Sequence, residues 1–349
     1  MKRRIFSVLL SSALLLALAG CGQGGEAAPS GSSSDADSET GTRDELIFVN
    51  YRDIRDLNPH LYAGEMYAQS ILYDTLVSNT EDGYVGCLAE DWTISDDGMT
   101  YTFTIRDDVH FQVGEYQDGR LLTAEDVAYS LNRAHEKAWW NYIPYFEYAE
   151  AIDEHTVACH LEYANALFLY DLTSPSGVMI PQEEVDGWGE EEFGSHPIGT
   201  GPFKVVEHVP DQYTKLEKNP NYWGVEPYLD GLTYYIIVDE AQNMNALSTG
   251  EIDVSVNIAG DYIKQVKDNS NLVLAQGPQN RIAFCGYNMS DPILSDKRVR
   301  DAISMAVDRN QIVSAVYANG DGIACSLPIP VTCWLYDESL ESLAPAYDP

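Results

Sequence analysis

The stretch Asp291-Pro-Ile-Leu-Ser-Asp-Lys-Arg-Val-Arg-Asp-Ala-Ile-Ser-Met-Ala-Val-Asp308-Arg309 is the most informative run in the chain. A helix is expected from Asp296 to about Val307. Asp308-Arg309-Asn310 then breaks that helix and restarts it to Tyr317. Forty residues beyond Arg309 the chain ends at Pro349.

Working back from this run, strand and helix patterns alternate. Leu46–Asn50 reads as a first strand and Glu65–Leu76 as a helix, whereas Tyr84–Trp92 reads as irregular. After the turn Asp96-Asp97-Gly98, Tyr101, Phe103 and Ile105 alternate with Thr100, Thr102 and Thr104, the period of two that marks a hairpin strand. Thr123-Ala-Glu-Asp126 has the spacing of a helix start, and its helix is expected to reach Ala138. Further strands are predicted at 156–161, 203–208, 214–218, 232–238 and 252–256. A helix over 241–248 is stopped by Gly250. The alternation argues an α/β or α+β architecture.

At the N-terminus, Met1-Lys-Arg-Arg4 precedes an apolar stretch from Ile5 to Ala19. A basic start, a short apolar core and small residues mark an export signal, and the stretch is too short to span a bilayer as a helix. Leu18-Ala-Gly-Cys21 resembles a bacterial lipobox, which implies cleavage before Cys21 and lipidation of its thiol. Residues 22–43 are small and polar with no aromatic, a composition of disordered tethers. The expected division is therefore a signal at 1–20, a tether at 21–43 and a globular remainder.

The chain carries 55 Asp and Glu against 20 Lys and Arg, a formal net charge of −35. Removal of the three basic residues of the signal makes it more negative still. That balance argues against nucleic-acid binding and against electrostatic adhesion to anionic lipid. Apart from Cys21, five Cys remain, with no Cys-x-x-Cys pair, so a zinc or redox motif is not expected. Cys325 and Cys333 are near enough in sequence to pair outside the cell, while an odd count leaves at least one thiol free.

Several separated motifs, taken in order, resemble the extracellular solute-binding proteins of peptide- and nickel-type ABC importers. They include Leu57-Asn-Pro-His60, Leu88-Ala-Glu-Asp-Trp92, Leu122-Thr-Ala-Glu-Asp-Val-Ala-Tyr-Ser130, Pro197-Ile-Gly-Thr-Gly-Pro-Phe203 and Asn219-Pro-Asn-Tyr-Trp223. Pro227-Tyr-Leu-Asp-Gly231, Gly250-Glu-Ile-Asp253 and the 296–309 run complete the series. The resemblance covers about residues 46–330. It implies an α/β, type II periplasmic-binding-protein fold of two lobes. The first lobe is expected over 44–277, with a small extra domain at about 79–175. The second would begin at 278–349 and be incomplete in this chain.

What the resemblance implies about function is capture of an oligopeptide-like solute and its delivery to membrane permease subunits. The expected form is a monomer, lipid-anchored on the outer face of a bacterial cell membrane, with no cofactor, no metal and no nucleic acid. A nickel chelate, a sugar, or a truncated non-transporting lipoprotein are the alternatives. Three cleft-lining places are implied: the loop holding Tyr62, Ala63, Gly64 and Met66; the aromatic stretch Tyr142–Tyr148, with Tyr145; and a crossover strand, 281–288, with Arg281, Phe284 and Gly286. Arg281 would pair a ligand carboxylate or form a structural ion pair. Tyr62 and Tyr145 would stack on a ligand or simply pack.

The same motifs have plainer readings. Trp92, Tyr101, Phe103 and Trp223 are expected in the core. Gly199 and Gly201 lack the rest of a phosphate loop and are expected to make a tight turn into a strand. No Gly-x-Ser-x-Gly elbow, His-Glu-x-x-His helix or Ser-x-x-Lys motif is present, so no enzyme is expected. His155 and His160 are five apart across a turn and a strand, poor spacing for joint metal ligation.

Overall fold

Period-two alternation sets the first sheet. In β1 (Glu45–Asn50), Ile47 and Val49 face one way and Phe48 the other, because successive strand side chains point to opposite faces. The computed structural model describes residues 44–349, apart from 54–56, 62–68, 82, 139–141, 257, 259, 278, 280, 318–321 and 334. The signal, the lipobox cysteine and the tether read from the sequence lie outside the described residues.

After β1 come a short helix α1 (Gln69–Leu72) and a hairpin of β2 (Val77–Thr80) and β3 (Gly83–Gly86). A four-stranded antiparallel sheet follows, built from β4 (Ala89–Ile94), β5 (Thr100–Ile105), β6 (Phe146–Asp153) and β7 (Thr156–Leu161) in the order β4-β5-β7-β6. Between β5 and β6 runs α2 (Ala124–Lys137). Two short helices, α3 (Phe168–Asp171) and α4 (Gln182–Trp188), lead to an antiparallel run of β8 (Phe203–Val209), β9 (Tyr213–Lys218) and β10 (Gly231–Ile236). β10 pairs in parallel with β1. After α5 (Glu240–Thr249), β11 (Val254–Ser255) joins β1 from the other side, also in parallel. The five-stranded order is β11-β1-β10-β9-β8. Three helices remain: α6 (Gly260–Asp268), α7 (Lys297–Met305) and α8 (Arg309–Val316).

Each of the two larger sheets has its own core. Tyr101, Phe103 and Ile105 of β5 turn inward with Val157, Cys159 and Leu161 of β7, against Ala124, Val127 and Leu131 of α2. The helix presents them at intervals of three and four, one apolar stripe. On the five-stranded sheet, Phe203, Leu216 and Tyr234 pack with Leu57, Leu72, Ile180 and Phe193 on one face. Val49, Ala246 and Ile252 close the other face beneath α5. Asp239 caps α5 by accepting from the Gln242 amide, and Gly250 ends it in the left-handed conformation (φ 73°) that a side chain would resist.

Several expectations change. Tyr84–Trp92 is not irregular, since it holds β3 and the start of β4. Mixed polar and apolar residues hid two short edge strands. The helix expected over 65–76 is described only at Gln69–Leu72, and Thr75 already makes an antiparallel bridge to Val178. Phe203 does open a strand, yet Gly199 and Gly201 are not at positive φ. A Cβ on Gly199 would lie 2.3 Å from the Leu72 carbonyl oxygen, and one on Gly201 2.5 Å from the Leu72 carbonyl carbon. Close backbone approach is what requires glycine there.

Candidate functional site

The segment Leu57–Leu61, which precedes Tyr62 in sequence, is fixed by a buried polar cluster. Arg133 of α2 donates from one Nη1 to Asn58 Oδ1 (3.3 Å) and to His60 Nδ1 (3.0 Å). Its other terminal nitrogen pairs with Glu190. His60 accepts on Nδ1, so its proton sits on Nε2 and is donated to the Val178 carbonyl at 3.1 Å. Burial first, and the Arg133 charge second, lower the His60 pKa to about 3. The imidazole is a neutral tie across three segments. Tyr62, Ala63, Gly64 and Met66 themselves lie outside the described residues.

A second cluster surrounds Asp74, just after α1. Its Oδ2 accepts from Thr200 Oγ1 (2.8 Å) and from Trp223 Nε1 (3.0 Å). Burial raises this carboxyl's pKa, and the two hydrogen bonds oppose the rise. Gln112 Nε2 and Asn219 Nδ2 both donate to the Gly201 carbonyl, at 3.1 and 3.0 Å. The Gly-Thr-Gly motif is thereby sewn to α1, β8 and the Asn219–Trp223 turn. Trp223 is only half-buried, with the Arg106 guanidinium 4.8 Å from its ring centre. Tyr101 and Phe103 are core residues, as expected.

The third place is an exposed aromatic rim on the four-stranded sheet. Tyr145 precedes β6 at φ 65°, and its carbonyl accepts from the Glu162 amide at 2.8 Å. That turn sends Phe146 into the core and leaves the Tyr145 side chain outside. The Tyr145 ring meets Tyr163 edge to face, with centroids 5.9 Å apart. Nearby, Tyr148 stacks on His160 at 4.5 Å, and His160 Nε2 reaches Glu150 at 3.2 Å. The Tyr145 ring thus touches another aromatic while more than half of the residue stays exposed.

The expectation of a crossover strand at 281–288 is not met. The described residues there form no ladder, because no strand among the described residues lies beside them to supply hydrogen bonds. Arg281 and Gly286 are exposed, Phe284 is 79% exposed, and no hydrogen bond, ring contact or ion pair joins them to Tyr145. Beyond them, α7 starts after Asp296 and α8 after the break at Asp308, as the sequence run predicted, and each Asp caps its helix. Val299, Ala302, Ile303 and Ala306 line an open apolar groove on α7.

Sequence reasoning missed Arg133 and Asp74 as the hubs of the two clusters. Their signal is weak, since a charge within an amphipathic helix or after a short one usually faces solvent. Cys87, Cys159, Cys285, Cys325 and Cys333 are all free thiols. Among the described residues, no group of three or more His, Cys, Asp or Glu is placed to hold a metal ion. No described helix is long and apolar enough to cross a membrane.

Comparison with known proteins agrees with this geometry. The profile of the bacterial extracellular solute-binding proteins, family 5, matches residues 83–349. The dipeptide-binding protein of Escherichia coli K12 is 30% identical over 331 residues, covering 87% of this chain and 61% of its own length. Heme-binding protein A of Haemophilus influenzae is 29% identical, over 99% of this chain and 67% of its own. Among solved structures, a Helicobacter pylori periplasmic binding protein in complex with the peptide STSA superposes with a TM-score of 0.73 at 26% identity. That match covers 87% of this chain and 64% of the other. The chain thus spans about three fifths of the dipeptide-binding relative and of this solved neighbour. The mixed α/β fold is that of type II periplasmic binding proteins.

Proposed function

We propose, from the premise that this chain belongs to family 5 of the bacterial extracellular solute-binding proteins, that it captures oligopeptide-like solutes for an ABC importer. Members of the family bind rather than catalyse. The observation that carries the proposal is the likeness to a dipeptide-binding protein along 87% of the chain. Cys21 is the lipid attachment point in this reading, and residues 22–43 are the tether that holds a monomeric body off the cell membrane.

The first lobe is 44–277, with the small domain at 79–175, and 278–349 opens the second. Tyr62, Ala63, Gly64 and Met66 contact the ligand from one loop, Tyr145 from the aromatic rim, and Arg281, Phe284 and Gly286 from the connecting segment. An extended peptide presents backbone donors and acceptors to such a surface and places its side chains in wet pockets. Lobe movement about 281–288 traps the solute and presents it to the permease.

The test is calorimetric titration of the full chain with a random tripeptide library, followed by individual peptides. Saturable binding is expected. Heat indistinguishable from dilution across the library sinks the peptide assignment. A heme or metal chelate is the second reading, favoured by the Haemophilus relative, and a saturable Soret shift on adding hemin distinguishes it.

A further inference from the structure

The aromatic rim lies in a part of the chain that carries no Lys or Arg. Between Lys137 and Lys204 there is no Lys or Arg, while twelve Asp and Glu occur. Tyr145 and Tyr163 both fall within this stretch. Their rings stand at 86° to each other with centroids 5.9 Å apart, and they are 53% and 65% exposed. Two rings meeting edge to face leave an open corner bounded by ring faces. Each face carries the negative lobe of an aromatic quadrupole, which attracts ammonium and guanidinium groups. Glu147 lies two residues after Tyr145, and Glu162 immediately precedes Tyr163. Both are exposed, and neither is paired with a cation among the described residues.

The corner is also built rather than incidental. Tyr145 holds a left-handed backbone that disfavours any residue with a side chain. The Glu162 amide, donating to its carbonyl, fastens that turn to the start of the Tyr163 segment. Buried Phe146 anchors one side and buried Leu161 the other.

We infer that Tyr145 and Tyr163, flanked by Glu147 and Glu162, form a cation-accepting corner that takes an alkylammonium or guanidinium group, such as the side chain of a Lys- or Arg-bearing peptide. The inference rests on the reading of Tyr145 as a ligand contact and adds the chemical class that contact prefers. A ring face supplies attraction without demanding full dehydration of a hydrogen-bonding partner. Carboxylates at the rim raise the local concentration of cations.

The probe is tetramethylammonium, titrated into the full chain and followed by proton NMR, with neopentyl alcohol as its neutral near-isostere. Expected is a saturable upfield shift of the cation's methyl signal, with affinity about fivefold above the alcohol's, the size of an exposed cation–π contact. Tyr163→Leu, which keeps apolar bulk but removes a ring face, should abolish that preference. Glu162→Gln should weaken it about twofold, and Tyr228→Leu, at an exposed tyrosine elsewhere, should leave it unchanged. Equal affinity for cation and alcohol, or full binding in Tyr163→Leu, overturns the inference. Capture of lysine-bearing and neutral tripeptides with equal affinity overturns it while leaving the capture reading intact. Tetramethylammonium bound at the corner with no tripeptide bound does the reverse.

Discussion

Helices α2 and α7 start from the same kind of local code and end in opposite environments. Asp126 of α2 accepts from the amide and the hydroxyl of Thr123, each at 2.9 Å, and eight residues of the helix are buried. Asp296 caps α7 by accepting from the Arg298 amide at 2.9 Å, yet no residue of α7 is buried. The contrast extends beyond the helices. Among the described residues none after Val266 is buried, whereas forty-one apolar core residues lie between Val49 and Val266. A cap is written within four residues and forms wherever those residues occur. Burial needs partners from distant parts of the chain, and it supplies most of a helix's stability in a folded protein.

The contrast breaks most sharply on core truncation. Phe103→Ala should cost about 3–5 kcal/mol in unfolding free energy, while Ile303→Ala, on the α7 groove, should stay within about 0.5 kcal/mol. Urea denaturation of both variants checks this, and equal losses would show that α7 has a packed partner in solution. Somewhat smaller is Arg133→Leu, which strips donors from His60 Nδ1 and Asn58 Oδ1. Asn58 Oδ1 keeps the His60 amide as a donor, so the loss falls on the buried His60 Nδ1, and such an acceptor left unmatched costs about 1–3 kcal/mol. Arg298→Leu, in an exposed pair with Asp296, should be silent in the same assay.

The pH response sharpens the comparison further. His60 is neutral when folded, with its pKa held down at about 3 from an ordinary 6.5, so the unfolded chain binds its proton first. The stability contributed by His60 is complete above pH 6.5 and is lost as pH falls from there toward 3, by up to about 1.4 kcal/mol per unit. His60→Gln should flatten that slope in unfolding curves taken at pH 7, 5.5 and 4. An unchanged slope would mean that other groups set the acid sensitivity. The most local effect belongs to the α7 cap. Asp296→Ala should weaken its helix by about 1 kcal/mol, visible as faster amide exchange over 297–300 without any shift of the global transition.

Much of the fold was legible because its signals are local or periodic. The alternation of Thr100–Ile105, the helix start at Thr123 and the stop at Gly250 each appear where the structure has them. The ordered motifs carried the family beyond what any one of them allowed. What escaped was long-range. The reason for Gly199 and Gly201 lies in the Leu72 backbone, more than a hundred residues away. The lone charges Arg133 and Asp74 become hubs only when segments far apart in sequence converge on them. At the candidate site, Tyr145 was legible as an aromatic but its partner Tyr163 was not. The expected strand at 281–288 failed because a strand depends on a neighbour that sequence pattern does not supply.

The five described thiols form a series graded by exposure, which decides where a reagent would reach this protein. Cys159 is fully buried, and burial, with the neighbouring Asp74 charge adding to it, lifts the Cys87 thiol to about 11. Both should therefore be slow toward alkylating reagents. Cys325 and Cys333 are partly shielded, and Cys285 is exposed in the segment between Arg281 and Asn288. A maleimide dye used below saturation would thus mark Cys285 first, placing a reporter on the 281–288 segment without any engineered residue.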